Sequence, residues 1–424
     1  MSKMTIGLEI ENPNEQFSSY FFDSLSLPAT DNEIRDVLHR IRIYNGHLLP
    51  SQFSVYDCDL IPNLVGSRMD SPTLDEMNFL AKRLAQLNED EVAVLKAIAP
   101  RYVTGFDDNI VSIKDLINMT YGLQSVSVIS GVSNDKQLGV FVIENDLHGD
   151  VESVPYHARY LLDKEAIGRL QRAADDGVFI GNTYVVTADF ELPKVYDGIT
   201  LPESAPETYY AFRLLIDKAP HDDVHIAENA EWISLPMSDG DMAAVAHRHG
   251  VQSLEGCVYY DFESSIPQIT SEDFTTMRDI KKLNELAKRM ADMAPCEQIT
   301  FKASLEVGKE NGVTFDDICN ISQNLFRYEM ATNCGNPSDF FKEYLLVHMD
   351  SKFDETWLNR LNCRDEGQNL LRKLGATCTE YGVISAWGES LYRLVPYNGQ
   401  QQDTQAETED AALEEDEGMG LTMQ

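Results

Sequence analysis

The sequence predicts an α+β protein made of two diverged tandem copies of one mixed unit, each with a helical middle. Three observations point there. Short matches link the two halves of the chain in the same order. In each half, apolar residues at helical spacing fill the middle, and short β-like runs close the unit. Residues 1–200 and 201–400 also carry the same large negative charge.

The matches define the repeat. Met77-Asn-Phe-Leu-Ala-Lys-Arg-Leu-Ala85 returns as Leu283-Asn-Glu-Leu-Ala-Lys-Arg-Met-Ala291, with six identities in nine positions. Around it, Leu25-Ser-Leu-Pro28 recurs as Ile233-Ser-Leu-Pro236, and Tyr56-Asp57 as Tyr260-Asp261. Val111-Ser-Ile-Lys-Asp-Leu-Ile-Asn118 recurs as Val313-Thr-Phe-Asp-Asp-Ile-Cys-Asn320, Gly168 as Gly367, and Tyr184 as Tyr381. The offsets drift only from 208 to 197, so the series is collinear.

Taken in order, Ser71-Pro72 opens a helix with Leu74, Met77, Ala81 and Leu84 on one face. Ile280, Leu283, Ala287 and Met290 repeat that face. Asn88 with Glu91 is a capping pair for the next helix, which Pro100 stops, and Pro295 stands at the corresponding start in the second copy. Ser112 with Asp115, and Thr314 with Asp317, are one capping signal used twice. Short β-like segments follow at Ser125–Ile129 and Phe326–Met330, then a helix capped by Ser133 in one copy and by Asn336-Pro337 in the other. Runs near Val185-Val186 and Val383-Ile384 close the units. The expected organisation is a first copy over 1–191, a linker over 192–206, a second and more diverged copy over 207–397, and a disordered acidic tail over 398–424.

At 424 residues the chain is long enough for two or more cores, and 43% hydrophobic content supports globular folding. Acidic residues number 70 against 34 basic, a net charge of −36. Residues 1–200 and 201–400 each carry −14, and the last 24 carry −8. Self-repulsion on this scale destabilises a compact state, and direct binding to DNA or RNA is disfavoured because phosphates demand the opposite sign. A basic partner is expected instead. Seven cysteines, an odd set without a Cys-x-x-Cys pair, indicate reduced thiols. The first residues lack the basic and apolar regions of a signal peptide, and no apolar run approaches the ~20 residues of a membrane span. A cytoplasmic protein is expected.

A search for catalytic chemistry is mostly negative: no phosphate-cradling glycine loop, no dinucleotide fingerprint and no nucleophile elbow occur. His221-Asp-Asp-Val-His225 has metal-pair spacing on a helix, but the solvated-turn reading is preferred, because the strand that follows destroys that geometry and the first copy has no equivalent. His247-Arg248-His249 fits a general base or pH sensor, and also the polar end of a helix beginning near Ser238. The pairs Asp57, Asp59 and Asp261, Glu263 would share a strand face, as an acid/base pair or as solvated decoration. Clustered carboxylates holding magnesium would make a hydrolase, the alternative of a different kind. No enzyme, metal or cofactor is expected from the sequence.

The chain resembles the ArdA-type antirestriction proteins. The resemblance is carried by Leu27-Pro28 leading into a helix from Asn32, by Tyr56-Asp57-Cys58-Asp59, and by Leu74-Asp-Glu-Met-Asn-Phe-Leu-Ala81. It continues through Ser112-Ile-Lys-Asp-Leu-Ile-Asn-Met-Thr120, Leu162-Asp-Lys-Glu-Ala-Ile-Gly-Arg169 and Tyr184-Val-Val186, covering most of 20–187. The second copy resembles a more distant member and keeps Trp232-Ile-Ser-Leu-Pro236, where the first has Ser24 in place of the tryptophan. The resemblance implies an elongated protein, usually dimeric, whose carboxylates imitate the phosphates of bent DNA and occupy the DNA groove of type I restriction-modification enzymes. A tandem chain would then be a monomeric pseudo-dimer or a homodimer.

Duplex DNA carries one charge per ~1.7 Å of axis, so charges in the number found here would span roughly 60 Å at that density. Composition alone favours acids scattered for solubility; the resemblance reverses that preference toward an arranged surface. The candidate phosphate mimics, expected to be exposed, are Asp75, Glu76, Glu89, Asp90, Glu91, Asp107, Asp108, Asp135, Asp175 and Asp176 in the first copy. In the second they are Asp222, Asp223, Glu272, Asp273, Asp279, Asp316, Asp317, Asp339, Asp354 and Glu355. The alternative partner is another basic DNA-handling protein: a CRISPR effector, a conjugation factor or a nucleoid protein.

Overall fold

Strand alternation at the start of the chain places Ile6, Leu8 and Ile10 on one face, and all three are fully buried. The computed structural model describes residues 5–14, 19–44, 48–103, 110–147, 149–202, 209–218, 229–348 and 360–385. Strands β1 (Ile6–Asn14), β2 (Ser19–Leu27) and β3 (Phe53–Asp57) form an antiparallel sheet in the order β2-β1-β3. Helix α1 (Asp31–Arg40) intervenes between β2 and β3. The helical middle follows as α2 (Leu74–Ala85), α3 (Glu89–Ile98) and α4 (Ile113–Met119). Next come β4 (Val128–Ser130), α5 (Asp135–Glu144), the single turn α6 (Gly149–Glu152), α7 (Lys164–Ala174), β5 (Val178–Ile180) and β6 (Thr183–Val185). These last strands pair as β4-β6-β5.

The same progression begins again at Phe212. Strands β7 (Phe212–Lys218), β8 (Glu231–Leu235) and β9 (Cys257–Ser264) pair as β8-β7-β9, with α8 (Asp239–Arg248) between β8 and β9. Helices α9 (Ile280–Asp292), α10 (Pro295–Glu310) and α11 (Phe315–Gln323) follow. The last elements are β10 (Glu329–Ala331), α12 (Pro337–His348), α13 (Cys363–Leu374), β11 (Ala376–Thr379) and β12 (Gly382–Ser385), with the sheet order β10-β12-β11. The architecture is α+β with small antiparallel sheets. No helix among the described residues is long and apolar enough to cross a membrane.

Several local devices occur in both halves. β2 and β8 each end in a cis X-Pro bond, Leu27-Pro28 and Leu235-Pro236. The residue after each proline is clamped by a helix asparagine. Asn78 of α2 donates to the Ala29 carbonyl and accepts from its N–H, both at 2.9 Å. Asn284 of α9 makes the same pair with Met237, at 3.0 and 2.8 Å. Buried backbone groups at these bends are thereby satisfied.

Close helix packing depends on glycine at one further matched position. A Cβ on Gly168 of α7 would stand 1.8 Å from the Asp135 carbonyl oxygen, and one on Gly367 of α13 would stand 2.0 Å from that of Pro337. Backbone, not a flexible side chain, blocks the space. Gly168→Ala is therefore expected to force α5 and α7 apart and cost about 1–3 kcal/mol, read as a lower urea midpoint by circular dichroism.

Some local expectations need correction. Helix α2 is capped by Thr73, whose hydroxyl accepts from the Glu76 N–H at 3.2 Å while Glu76 accepts from the Thr73 N–H at 2.7 Å. Ser71 cannot cap it, because it lies two residues too early and at φ 63°. Likewise Asn134, not Ser133, caps α5, and Ser133 donates to the Gln137 side chain. The strands expected over Ser125–Ile129 and Phe326–Met330 form later, at Val128–Ser130 and Glu329–Ala331, because single tight turns occupy Leu123–Ser125 and Leu325–Arg327.

The segment read as a linker is docked where it is described. Asn118 accepts from the N–H groups of Val195 and Tyr196 and donates to the Tyr196 carbonyl, and Tyr196 is buried. The chain divides into two compact units at Leu325/Phe326, inside the span expected for the second copy. Within the first unit, separate cores gather around Leu8 and Leu80 and around Phe212 and Leu283. A buried ion pair joins α1 to α10: the Lys302 ammonium lies 2.6 Å from Asp36, and both side chains are only 4% exposed. The acidic tail over 398–424 lies outside the described residues.

Candidate partner-binding surface

Helix starts place many of the acidic candidates. Asp75 lies in the first turn of α2, and Glu89 and Asp90 lie in that of α3, where carboxylates also favour the helix dipole. These three and Glu272 face solvent, with no hydrogen-bond or ion-pair partner for the side chain among the described residues. Among the candidates they are the carboxylates most available to a cation from outside.

Other candidates are committed to the fold. Asp176 is exposed but pairs with Arg101 at 2.6 Å, and Asp316 with Lys282 at 2.8 Å. Glu76 accepts from Tyr196 Oη at 2.9 Å, and burial, then this carboxylate, pushes the phenol up to about 12. Asp135 holds Arg172 at 2.7 Å, Asp175 accepts from Tyr184 Oη at 2.9 Å, and Asp279 pairs with Lys282 at 3.3 Å. Asp317 is exposed and caps α11, and the Thr314 hydroxyl and N–H hold its carboxyl below the usual range.

Two candidates expected on the surface, Glu91 and Asp339, are buried, and a third, Asp273, is half-buried with its carboxylate enclosed. Glu91 completes the Asn88 capping box and accepts from Gln124 at 2.8 Å; the Asn88 N–H and that amide hold its carboxyl below the usual range. The Asp273 side chain is 8% exposed, accepts from the Thr270 N–H at 2.8 Å and pairs with Lys309. Asp339 is 4% exposed and interacts with Asn336 and Lys342. Glu91 and Asp273 satisfy backbone N–H groups at a helix start and a turn, and Asp339 accepts from the Asn336 amide, so all three are withdrawn from any partner. Asp107, Asp108, Asp222, Asp223, Asp354 and Glu355 lie outside the described residues, as do His221 and His225.

The remaining polar clusters are structural. His249 is the C-cap of α8 and sits between Asp217 at 3.2 Å and Glu231 at 3.0 Å, while Arg248 reaches Glu231 at 3.0 Å. Of the strand carboxylates, Glu263 pairs with Arg213 at 3.1 Å and Asp261 accepts from the Phe262 N–H. All seven cysteines are free thiols; burial pushes Cys378 up to about 11, and burial with Glu343 beside it raises Cys334. Among the described residues no three His, Cys, Asp or Glu side chains gather as a metal site.

A groove of about 490 Å³ runs between α1 and the start of α10, with Arg35, His39, Asp75 and Gln298 among its walls. His39 is 4% exposed, and its Nδ1 has no hydrogen-bond partner among the described residues. Burial first, then the Lys302 charge, lowers its pKa from 6.5 to about 4, against the opposing pull of Asp36. A depressed folded-state pKa contributes stability that is present above 6.5 and lost as pH falls toward about 4. His39→Gln is expected to flatten that part of the stability–pH curve, a contribution of about 3 kcal/mol at ~1.4 kcal/mol per unit, measured by urea melts across the window.

Glu9 and Glu11 were not among the sequence-derived candidates, yet both are exposed on the outward face of β1. The alternation that buries Ile6, Leu8 and Ile10 is the signal that would have found them. No protein-family model matches the chain, and no curated protein matches it.

Proposed function

We propose that the chain is a doubled, elongated, ArdA-like DNA mimic that occupies the basic DNA groove of a type I restriction-modification enzyme in the bacterial cytoplasm and inhibits it without catalysis. The observation that carries this reading is the charge: −36 in total, with −14 on each of residues 1–200 and 201–400, and with Asp75, Glu89, Asp90 and Glu272 facing solvent. Recurrent sheet orders, the paired cis-prolines and the paired asparagine clamps support the doubled unit. Two copies in one chain would offer as a single molecule the acidic length that a dimer offers.

The mechanism is competition. Opposite charge fields accelerate encounter, and carboxylates then replace phosphates against lysine and arginine. The test is a restriction assay with purified type I enzyme and unmodified duplex. Cleavage should fall with added protein and return as the concentration of the unmodified substrate duplex is raised. Undiminished cleavage at every ratio, or inhibition indifferent to the duplex, would contradict the reading. A protein captured from cells in place of the restriction enzyme, and released by DNA, would move the target to another DNA-handling protein.

A further inference from the structure

The outward face of the first sheet is aromatic and acidic. Phe22 is 74% exposed and Tyr20 63%, both on β2, and Tyr56 of β3 is 45% exposed. On β1, Glu11 stands in register with Phe22, and Glu9 lies between Ser24 and Ser54. Neither glutamate has an ion-pair partner among the described residues, and no lysine or arginine occupies an outward position of these strands. Exposed rings grouped on one face usually mark an interaction site.

The sheet β8-β7-β9 shows what such a face accommodates. Gly7 of β1 pairs with Ser26 and Asp57; in β7 the residue paired with Ser234 and Glu263 is Arg213. Its guanidinium lies 5.0 Å from the Trp232 ring centre and 5.2 Å from that of Tyr210, and it bonds Glu263 at 3.1 Å. In the second sheet, therefore, an arginine of the chain itself occupies the aromatic and carboxylate setting. In the first sheet glycine stands at that place with the Tyr56 ring packed against it, and Ser24 takes the tryptophan's position. Tyr20 and Phe22, further along β2, and Glu9 and Glu11 on β1 carry no cation among the described residues.

We propose that the outward face of β2-β1-β3 binds an arginine-bearing extended segment of a basic protein partner. Arginine suits it better than lysine, because a planar guanidinium stacks on a ring while bonding a carboxylate. Nucleic acid and anionic membrane are disfavoured by sign, since both would meet Glu9 and Glu11 and the net charge behind them. The flanking strands β2 and β3 are the edges of their sheet, so an extended segment has room to lie along either. The inference goes beyond groove mimicry and does not rest on it.

The test uses the full chain and a fluorescent peptide of alternating arginine and threonine, followed by anisotropy at physiological salt. Tyr20→Ser with Phe22→Ser changes no charge and touches exposed rings, so the variant should keep the parent's melting curve. It should weaken the arginine peptide about tenfold and the matched lysine peptide less. Glu9→Gln with Glu11→Gln should weaken both peptides. Affinity unchanged by loss of the rings would reduce binding to bulk charge and overturn the proposal. Reduced self-association of the ring variant with unchanged peptide affinity would assign the face to a second copy, and would also overturn it. Either result leaves the restriction assay untouched, because every carboxylate is retained in the ring variant.

Discussion

Lys302→Met is expected to destabilise the first compact unit by about 3–5 kcal/mol, because it leaves the Asp36 carboxylate buried without its closest counter-charge. The two side chains are equally buried, and burial draws the lysine pKa below its ordinary value even with Asp36 opposing. Arg40 also approaches Asp36, at 3.3 Å, and continues to Asp23 at 3.1 Å, so the loss should fall toward the lower end of that range. Pairing Lys302→Met with Asp36→Leu should recover most of it, since neither charge then remains in the interior. Urea denaturation of the parent, both single variants and the double variant gives the coupling directly. Additive losses would mean that the pair does not join α1 to α10 energetically.

The second large effect concerns binding. Converting Asp75, Glu89, Asp90 and Glu272 to their amides removes only four of 70 acidic side chains. If these meet lysine or arginine at about 0.2–1 kcal/mol each, affinity for the restriction enzyme falls roughly fourfold to nearly a thousandfold. The comparison variant carries amides at Glu144, Glu285, Asp292 and Glu310, which are exposed and outside the candidate set. Its affinity should change far less, because a diffuse field is screened over a Debye length of about 10 Å. Equal losses in the two variants would mean that only the total charge matters. The readout is enzyme affinity measured at fixed salt.

Much of the local structure was legible because capping and periodicity act over a few residues. Asn88 with Glu91, Ser112 with Asp115 and Thr314 with Asp317 start helices as their spacing predicts. Apolar spacing placed Met77, Leu84, Leu283 and Met290 inside. The same success limits the candidate site, since an acid that caps a helix is already engaged. Sequence marks Glu91, Asp273 and Asp339 as acidic, but their burial follows from chain segments folding over them. Lys302 carries no local signal either, because its partner lies 266 residues away. The docking of Tyr196 was hidden for the same reason: it depends on Asn118, far back in the chain.

The most direct test is a binding competition between this protein and duplex DNA for one type I restriction enzyme, repeated across a salt series. Mimicry requires that the two ligands exclude each other at every salt concentration, with affinities that fall together as salt rises. A ternary complex of enzyme, duplex and this chain, or an affinity that ignores salt, would contradict it.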